Sequence, residues 1–426
     1  MGAIASMLFI LVSPTIYLLG VLLTIISVTC LGSSFVLLNS FLPLLAANHP
    51  TTRDKENESS IPLNAMIPEI EDDQIDGNLL TNDDFQNDLP QFTKIDTPSS
   101  RLQLSNQISS KGIGIGYAAA MFVQIISIII IIIFSKFSPS TSTSTLPMRT
   151  VLFVVGLWWI CFTFPTVLWL RSRPGPSLPF QLTSRNHIYT GLRYIMFGWI
   201  SLWHTITVAF QLRQVIIFLI GWFLLSDGIA TISGTAILFA RTELNLGTAA
   251  IALLSITGTA SGIIGAFCWP IIGRKFGLKP ISIVIACVCI FEFIPLYGLA
   301  GFLPVVKALG FGGFQQWWEL YPLGFILGFV MGGISSYCRS VFGALIPPGM
   351  EAAFYALFAV TDKGSSVIGP AIVGRIIDAT GSIRMAFWFL SVLMIAPAPI
   401  FWCVNVEKGR EEGIKMTEQR RRARME

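Results

Sequence analysis

The chain has 426 residues, of which 53% are hydrophobic and only 12% are charged, and its mean hydropathy is +0.69. A soluble globular domain carries roughly 25% charged residues, so this composition excludes one and predicts a polytopic membrane protein. Its spans should be helices, because a helix satisfies its own backbone groups in lipid. The net charge of +4 decides little, since the charges are segregated along the chain.

Nine apolar segments have the length of about 20 residues that a bilayer-spanning helix needs. A short apolar stub at 2–12 precedes them. In chain order the nine predicted spans are 15–40, 112–134, 150–170, 214–239, 248–272, 280–302, 320–345, 352–375 and 384–404.

Residues 188–212 are ambiguous, because Arg193, His204 and Gln211 interrupt an otherwise apolar and aromatic run. A tenth crossing here would move every later loop to the other side, and the basic groups of 273–279 would then face outward. We therefore interpret 188–212 as an interfacial amphipathic segment. Its crossing of the membrane stays an open alternative.

The segment 48–111 is polar and contains 12 acidic residues against five basic ones. It cannot bury enough apolar surface to fold, so we predict a disordered linker. This linker, 171–213, 273–279 and the basic tail 406–426 together hold 20 of the 28 Lys and Arg residues. The positive-inside rule therefore places all four segments in the cytoplasm.

An internal repeat divides the chain into two similar halves. SSKGIGIGY at 109–117 resembles DKGSSVIGP at 362–370, and LGSSFVLLNSFLPLL at 31–45 resembles GISSYCRSVFGALIP at 333–347. In each half the Ser-Ser span precedes the Lys-Gly span. Parallel repeats of this kind are typical of the major facilitator fold.

Three longer motifs carry a more specific resemblance. They are IPPG followed by an acidic residue and TDKGSS-x-IGP within 335–378, WELYPLGFILGF at 318–329, and SDGIATISGTAILF at 226–239. With them the chain resembles the autophagy-related vacuolar amino-acid effluxers, fungal members of the major facilitator superfamily. The resemblance implies export to the cytosol of amino acids produced by autophagic degradation, through a multi-pass protein of the vacuole membrane.

The family fold has twelve spans, so the resemblance implies an N-terminally shortened chain that lacks the first two to three. Residues 1–47 would hold the end of span 3 and span 4, and 112–170 would hold spans 5 and 6. The connection 171–213 would then lead to spans 7 to 12 at 214–405.

In that architecture spans 4, 7 and 10 line the central cavity. Their polar residues are the candidates for the substrate pathway, with Asn39 on span 4, Asp227 on span 7, and Ser335, Ser336 and Arg339 on span 10. Arg339 could bind the carboxylate of an amino acid through two parallel hydrogen bonds, and Asp227 its ammonium. Alternatively, the two charges pair with protein groups, or Arg339 snorkels to the interface. Glycines of span 7 could also break that helix.

Asp362 and Lys363 are two further charges within a span, and such charges mark functional sites by default. Adjacent helical residues point about 100° apart, so we expect each to have another partner, and Lys363 could pair with Asp227. The carboxylates Asp227, Glu292 and Asp362 are candidates for proton coupling, although Glu292 could equally be a hydrogen-bonded structural acid.

A turn between spans 8 and 9 resembles the GRK-type turn of major facilitators, with Gly273, Arg274, Lys275 and Gly277. Its basic groups could dock helix C-termini or anchor the topology. Cysteines and histidines lack metal-ligand spacing, and no cofactor motif is present, so we predict neither a metal site nor an enzyme.

The sequence therefore predicts a secondary transporter with amino acids and protons as substrates, lipid as a partner, no nucleic acid and an undecided oligomeric state. Two alternatives stay open. One is a transport-inactive shortened relative that acts as a membrane partner or regulator, and the other is a major facilitator for another small solute.

Overall fold

The computed structural model describes residues 1–47, 49, 98–137, 145–170 and 187–422, and these ranges are helical without a strand. We number the helices in chain order. They are α1 Gly2–Leu8, α2 Tyr17–Ala47, α3 Pro98–Phe137, α4 Leu146–Trp169, α5 His187–Gln211, α6 Arg213–Thr242, α7 Thr248–Lys275, α8 Pro280–Phe291, α9 Phe293–Ala300, α10 Pro304–Leu309, α11 Leu320–Leu345, α12 Glu351–Ser365, α13 Ile368–Thr380, α14 Ala386–Ile395, α15 Pro397–Trp402 and α16 Val406–Arg422.

Within the described ranges, eight helical segments are long and apolar enough to cross a membrane. They correspond to eight of the nine predicted spans. The ninth, 352–375, is split into α12 and α13 with a break at Ser366 and Val367. Pro370 explains the break, because it has no N–H to donate to the Ser366 carbonyl four residues earlier. By contrast α6, where glycines were expected to permit a break, is continuous.

The predicted end of the linker 48–111 is wrong, because a helix already begins at Pro98. Residues 98–111 form the first turns of α3, and Ser105, Asn106, Ser109 and Ser110 are buried there. The Ser109 hydroxyl donates to the Ser336 carbonyl at 3.0 Å, and the hydroxyls of Ser340 and Ser105 lie 2.8 Å apart. The polar composition predicted disorder, whereas Ser105 and Ser109 form hydrogen bonds with α11 that hold this segment in place. The rest of the linker, 50–97, lies outside the described residues.

A seam of glycines joins α7 and α11. Gly258 and Gly262 on α7 face Gly324, Gly328 and Gly332 on α11, in a small-xxx-small pattern on both helices. A methyl group on Gly328 would lie 1.9 Å from the Gly258 carbonyl oxygen, and one on Gly332 would lie 2.4 Å from that of Gly262. The two backbones therefore pack in direct contact, which is how helices associate closely in membranes.

Glu319, from the WELYPLGF motif, organises the loop that enters α11. It is 2% exposed. Its carboxylate accepts hydrogen bonds from the Gly312 and Phe314 N–H groups at 2.9 and 2.8 Å, and from the Tyr297 hydroxyl at 3.1 Å. The Gln315 and Gln316 N–H groups also donate to it. One carboxylate thus accepts hydrogen bonds from backbone N–H groups of a loop that has no regular secondary structure to pair them.

The C-terminal residues 406–422 form a packed helix, α16. The Asn405 N–H donates to Gln214 Oε1 at 2.8 Å, and a side chain on Gly409 would meet Leu345 at 2.3 Å. Near its end the Arg420 guanidinium contacts the Met350 sulfur at 3.3 Å. The tail therefore lies against the ends of α6 and α11 instead of extending freely.

Candidate substrate pathway

Two groups of polar residues lie within the helical bundle. The first, which we call the junction, surrounds the break between α12 and α13 and consists of Ser226, Asp227, Asp362, Lys363 and Gly369. The second, the tyrosine–arginine cluster, consists of Tyr117, Ser335, Arg339 and Tyr355.

In the junction, Asp227 binds the start of α13. Asp227 is 3% exposed, and its Oδ1 accepts a hydrogen bond from the Gly369 N–H at 2.9 Å. The first N–H groups of a helix lack intrahelical partners and carry positive partial charge, so a carboxylate is favoured there. A side chain at 369 would meet Thr231 Oγ1 at 1.9 Å, and glycine is therefore the residue that fits.

Ser226 binds the other side of the break. Its hydroxyl donates to the Asp362 carboxylate and also lies 3.1 Å from the Asp362 carbonyl oxygen. Two consecutive residues of α6 thus hold both pieces of the interrupted helix. Neither Ser226 nor Gly369 was among the sequence candidates, although both lie in motifs that carry the family resemblance.

The expectation that Asp362 and Lys363 cannot pair is wrong. Lys363 Nζ lies 2.9 Å from Asp362 Oδ2, because the lysine stem is long enough to reach back from the last turn of α12. The Lys363 side chain is 83% exposed. It therefore approaches Asp362 and not Asp227, whose Oδ1 is occupied by Gly369.

The tyrosine–arginine cluster forms where α3, α11 and α12 meet. The Tyr355 hydroxyl donates to the Arg339 carbonyl at 3.0 Å. The Tyr117 phenol interacts with the Ser335 side chain, and both phenols interact electrostatically with the Arg339 guanidinium. In the described part of the chain, no carboxylate lies within ion-pairing distance of Arg339. The bundle thus contains a cation without an anionic protein partner among these residues.

A cavity of about 300 Å³ adjoins this cluster through Tyr117. It lies between α6, α7 and α11, and most of its lining is aliphatic. Ser233, Ser255 and Thr259 add hydroxyl groups. Ligand sites for small molecules are typically apolar cavities of this size or larger with a few polar groups.

The remaining sequence candidates lie elsewhere. Asn39 is half-buried on α2. The Ser336 hydroxyl donates to the Gly332 and Gly333 carbonyls at 3.1 Å. Glu292 lies at the break between α8 and α9, where it accepts a hydrogen bond from Ser391, which supports its interpretation as a structural acid.

The GRK-type turn is tight. Gly277 adopts a φ of 61°, and the Leu278 N–H donates to the Gly273 carbonyl at 2.9 Å. This closes α7 with the glycine-dependent bond of a helix C-terminus. Arg274 and Lys275 both lie on the exposed surface there.

The comparison with protein families is decisive. The model described as "Vacuole effluxer Atg22 like" matches residues 1–414. The chain belongs to this family. It is 57% identical to autophagy-related protein 22-1 of Sclerotinia sclerotiorum over 97% of this chain and 69% of that protein. It is 52% identical to autophagy-related protein 22-2 of Aspergillus niger, with 98% and 71% covered.

Membership of this family confirms the fold class and the general function that the sequence motifs predicted. The protein is an all-α transporter of the major facilitator type and a multi-pass protein of the vacuole membrane, and its substrate is a small molecule. The family is one of transporters, in line with the expectation that the chain is not an enzyme.

Proposed function

We propose that this Atg22-family chain is a secondary transporter that exports amino acids released by autophagic degradation from the vacuole to the cytosol. The single observation that carries the substrate assignment is Arg339, a guanidinium within a span that interacts with two phenols, one of which, Tyr117, also lines a cavity. A cation at this depth is costly unless it has a partner. A substrate carboxylate would supply one.

In this mechanism the carboxylate accepts two parallel hydrogen bonds from Arg339. The hydroxyls of Tyr117 and Ser335 lie beside the guanidinium and add polar contacts on one side of the substrate. The aliphatic cavity next to Tyr117 takes the substrate side chain, and the hydroxyls of Ser233 and Ser255 face its ammonium.

Asp227 takes a different role from the one first predicted. Its carboxylate is bonded to Gly369, so it acts on the α12–α13 break and not on the substrate ammonium. Protonation would remove the charge that favours this contact and free α13 to move. Asp227 and Asp362 are therefore the carboxylates through which the acidic lumen would drive transport. Asn39, Ser336 and Glu292 have no direct part.

The orientation follows from the basic residues. We place the linker, 171–213, the GRK-type turn and the tail in the cytoplasm, with α5 lying at the interface. Substrate then enters the cavity from the lumenal ends of α6, α7 and α11.

Efflux of labelled amino acids from isolated vacuoles, with and without this chain, tests the proposal. Arg339→Lys should lower efflux at unchanged abundance, because charge is kept and the planar fork is lost. Arg375→Lys, an exposed Arg on α13, is the matched control and should leave efflux unchanged. Normal abundance with no efflux by the unaltered chain would instead identify a transport-inactive relative.

A further inference from the structure

A second site lies at the cytoplasm-assigned end of α3 and α7, away from the proposed substrate cavity. It is a recess of about 140 Å³ between α3, the GRK-type turn and α11. That is roughly ten times the volume that a single water requires. Its polar lining residues are Gln103, Asn106, Gln107, Arg274 and Tyr337.

One lining group of the recess, the Asn106 side-chain oxygen, lacks a hydrogen-bond donor. The residue is 3% exposed, and its Oδ1 has no hydrogen-bond partner among the described residues. A buried acceptor without a partner costs about 1–3 kcal/mol. Asn106 also lines the recess, so a ligand there that donates a hydrogen bond to this amide, once turned toward the recess, would remove that cost.

Arg274 supplies a cation to the same recess. Its Nε donates to the Pro270 carbonyl at 3.3 Å, and its guanidinium interacts with the Tyr337 phenol. The described residues that line the recess include neither Asp nor Glu. The recess is therefore suited to a ligand that carries both an anion and hydrogen-bond donors.

The recess opens into a much larger groove of about 920 Å³, and the two share Gln103, Gly277, Leu278 and Pro280. The groove is lined by aliphatic residues of α8 and by Trp402, which is 80% exposed, and at its edge by the charged residues Lys279, Glu407 and Arg410. Tryptophan is enriched where a protein meets the membrane interface. A polar recess beside a mainly apolar groove matches an amphiphile, and a soluble anion would use the recess alone.

We propose that this recess and groove bind phosphatidylinositol. The phosphate pairs with Arg274, the inositol hydroxyls donate to Asn106 Oδ1 and bond the two glutamine amides, and an acyl chain follows the groove past Trp402. Inositol is favoured over smaller headgroups because the recess offers three amides and one cation, which match several hydroxyls and one phosphate. Since Asn106 lies on the first half and Arg274 on the second, the lipid bridges the two halves.

The test uses the purified full chain, with bound lipid counted by native mass spectrometry and thermal unfolding followed with added lipid. Phosphatidylinositol should raise the unfolding temperature more than phosphatidylcholine or phosphatidylserine. Arg274→Gln should weaken binding about tenfold, the effect of losing one charge-assisted hydrogen bond. Lys275→Gln removes the same charge one residue later and outside the recess, and should leave binding unchanged.

Asn106→Asp provides a second variant that conserves volume. It places a carboxylate near the phosphate, and selective lipid binding should be lost. Equal responses to all three lipids, equal effects of the two Gln variants, or an equal response to free inositol phosphate would each overturn the proposal.

Discussion

Asp227 Oδ1 accepts a hydrogen bond from the Gly369 N–H at 2.9 Å, across 142 residues of sequence. The bond joins two of the motifs on which the family resemblance rests, SDGIATISGTAILF and TDKGSS-x-IGP. Ser226, the preceding residue, binds Asp362 on the other side of the same break. The two motifs therefore contact each other directly, and this contact holds the interrupted helix α12–α13 against α6.

Asp227→Asn should impair transport while protein abundance stays near normal. The amide keeps an oxygen that accepts from Gly369, but it removes the charge that interacts with the start of α13. Efflux measured across a range of lumenal pH is the readout. An efflux rate and pH profile equal to those of the unaltered chain would remove Asp227 from the mechanism.

Gly369→Ala should destabilise the protein by about 1–3 kcal/mol, the usual cost of overpacking. The added methyl would meet Thr231 Oγ1 at 1.9 Å. Adding Thr231→Ala removes that hydroxyl and should recover part of the loss in a thermal-unfolding assay. If the double variant is no more stable than Gly369→Ala alone, the steric explanation fails.

Ser226→Ala and Lys363→Ala should differ in effect, although both remove a contact to Asp362. Ser226 is buried, and the loss of its hydrogen bond to Asp362 should cost about 1–2 kcal/mol. The lysine is 83% exposed, and such an ion pair contributes between 0 and about 1 kcal/mol. Comparable losses of thermal stability in the two variants would contradict this ranking.

Glu319→Ala should reduce stability by about 3 kcal/mol or more, because several backbone N–H groups of one loop lose their acceptor together. Abundance in the membrane fraction and thermal unfolding measure it. Glu351→Ala is a useful comparison, since Glu351 accepts a single exposed hydrogen bond, from the Gly349 N–H, and should cost far less.

Gly328→Ala should destabilise the α7–α11 contact by about 1–3 kcal/mol. Gly234→Ala is the matched control, because no atom lies within 4 Å of the added methyl and α6 is helical there. Alanine also has the higher helix propensity, by about 1 kcal/mol. Equal unfolding temperatures for the two variants would show that the seam tolerates separation.

Much of the fold was readable from the sequence, because bilayer length and hydropathy are strong, local signals. The sequence predictions were wrong where contacts between distant parts of the chain determine the local structure. Ser105 and Ser109 were assigned to a disordered linker because their partners, Ser340 and Ser336, lie more than 200 residues away. The break after Ser365 was hidden within an apolar run, although Pro370 was visible as its cause.

The sequence predicted which residue types form the candidate site, but not how those residues are arranged in space. The sequence predicts Asp227 and Arg339 as charges within apolar spans that bind the two ends of one substrate, whereas in the structure they belong to different clusters. Which groups face each of them depends on helix rotation, and hydropathy does not specify it. Tyr117 was missed because a tyrosine after GIGIG carries no charge signal, and it contributes only once α3 meets α11.

The glycine seam has a consequence for how such a transporter can move. Helices whose backbones touch along about two turns cannot slide past one another without a collision of main chains, so α7 and α11 must move together as one rigid unit. Relative motion of α3 then falls on its side-chain contacts with this unit, which include the serine hydrogen bonds to α11 and the packing of Tyr117 on Gly262. The other place for motion is the proline-interrupted helix beside Asp227.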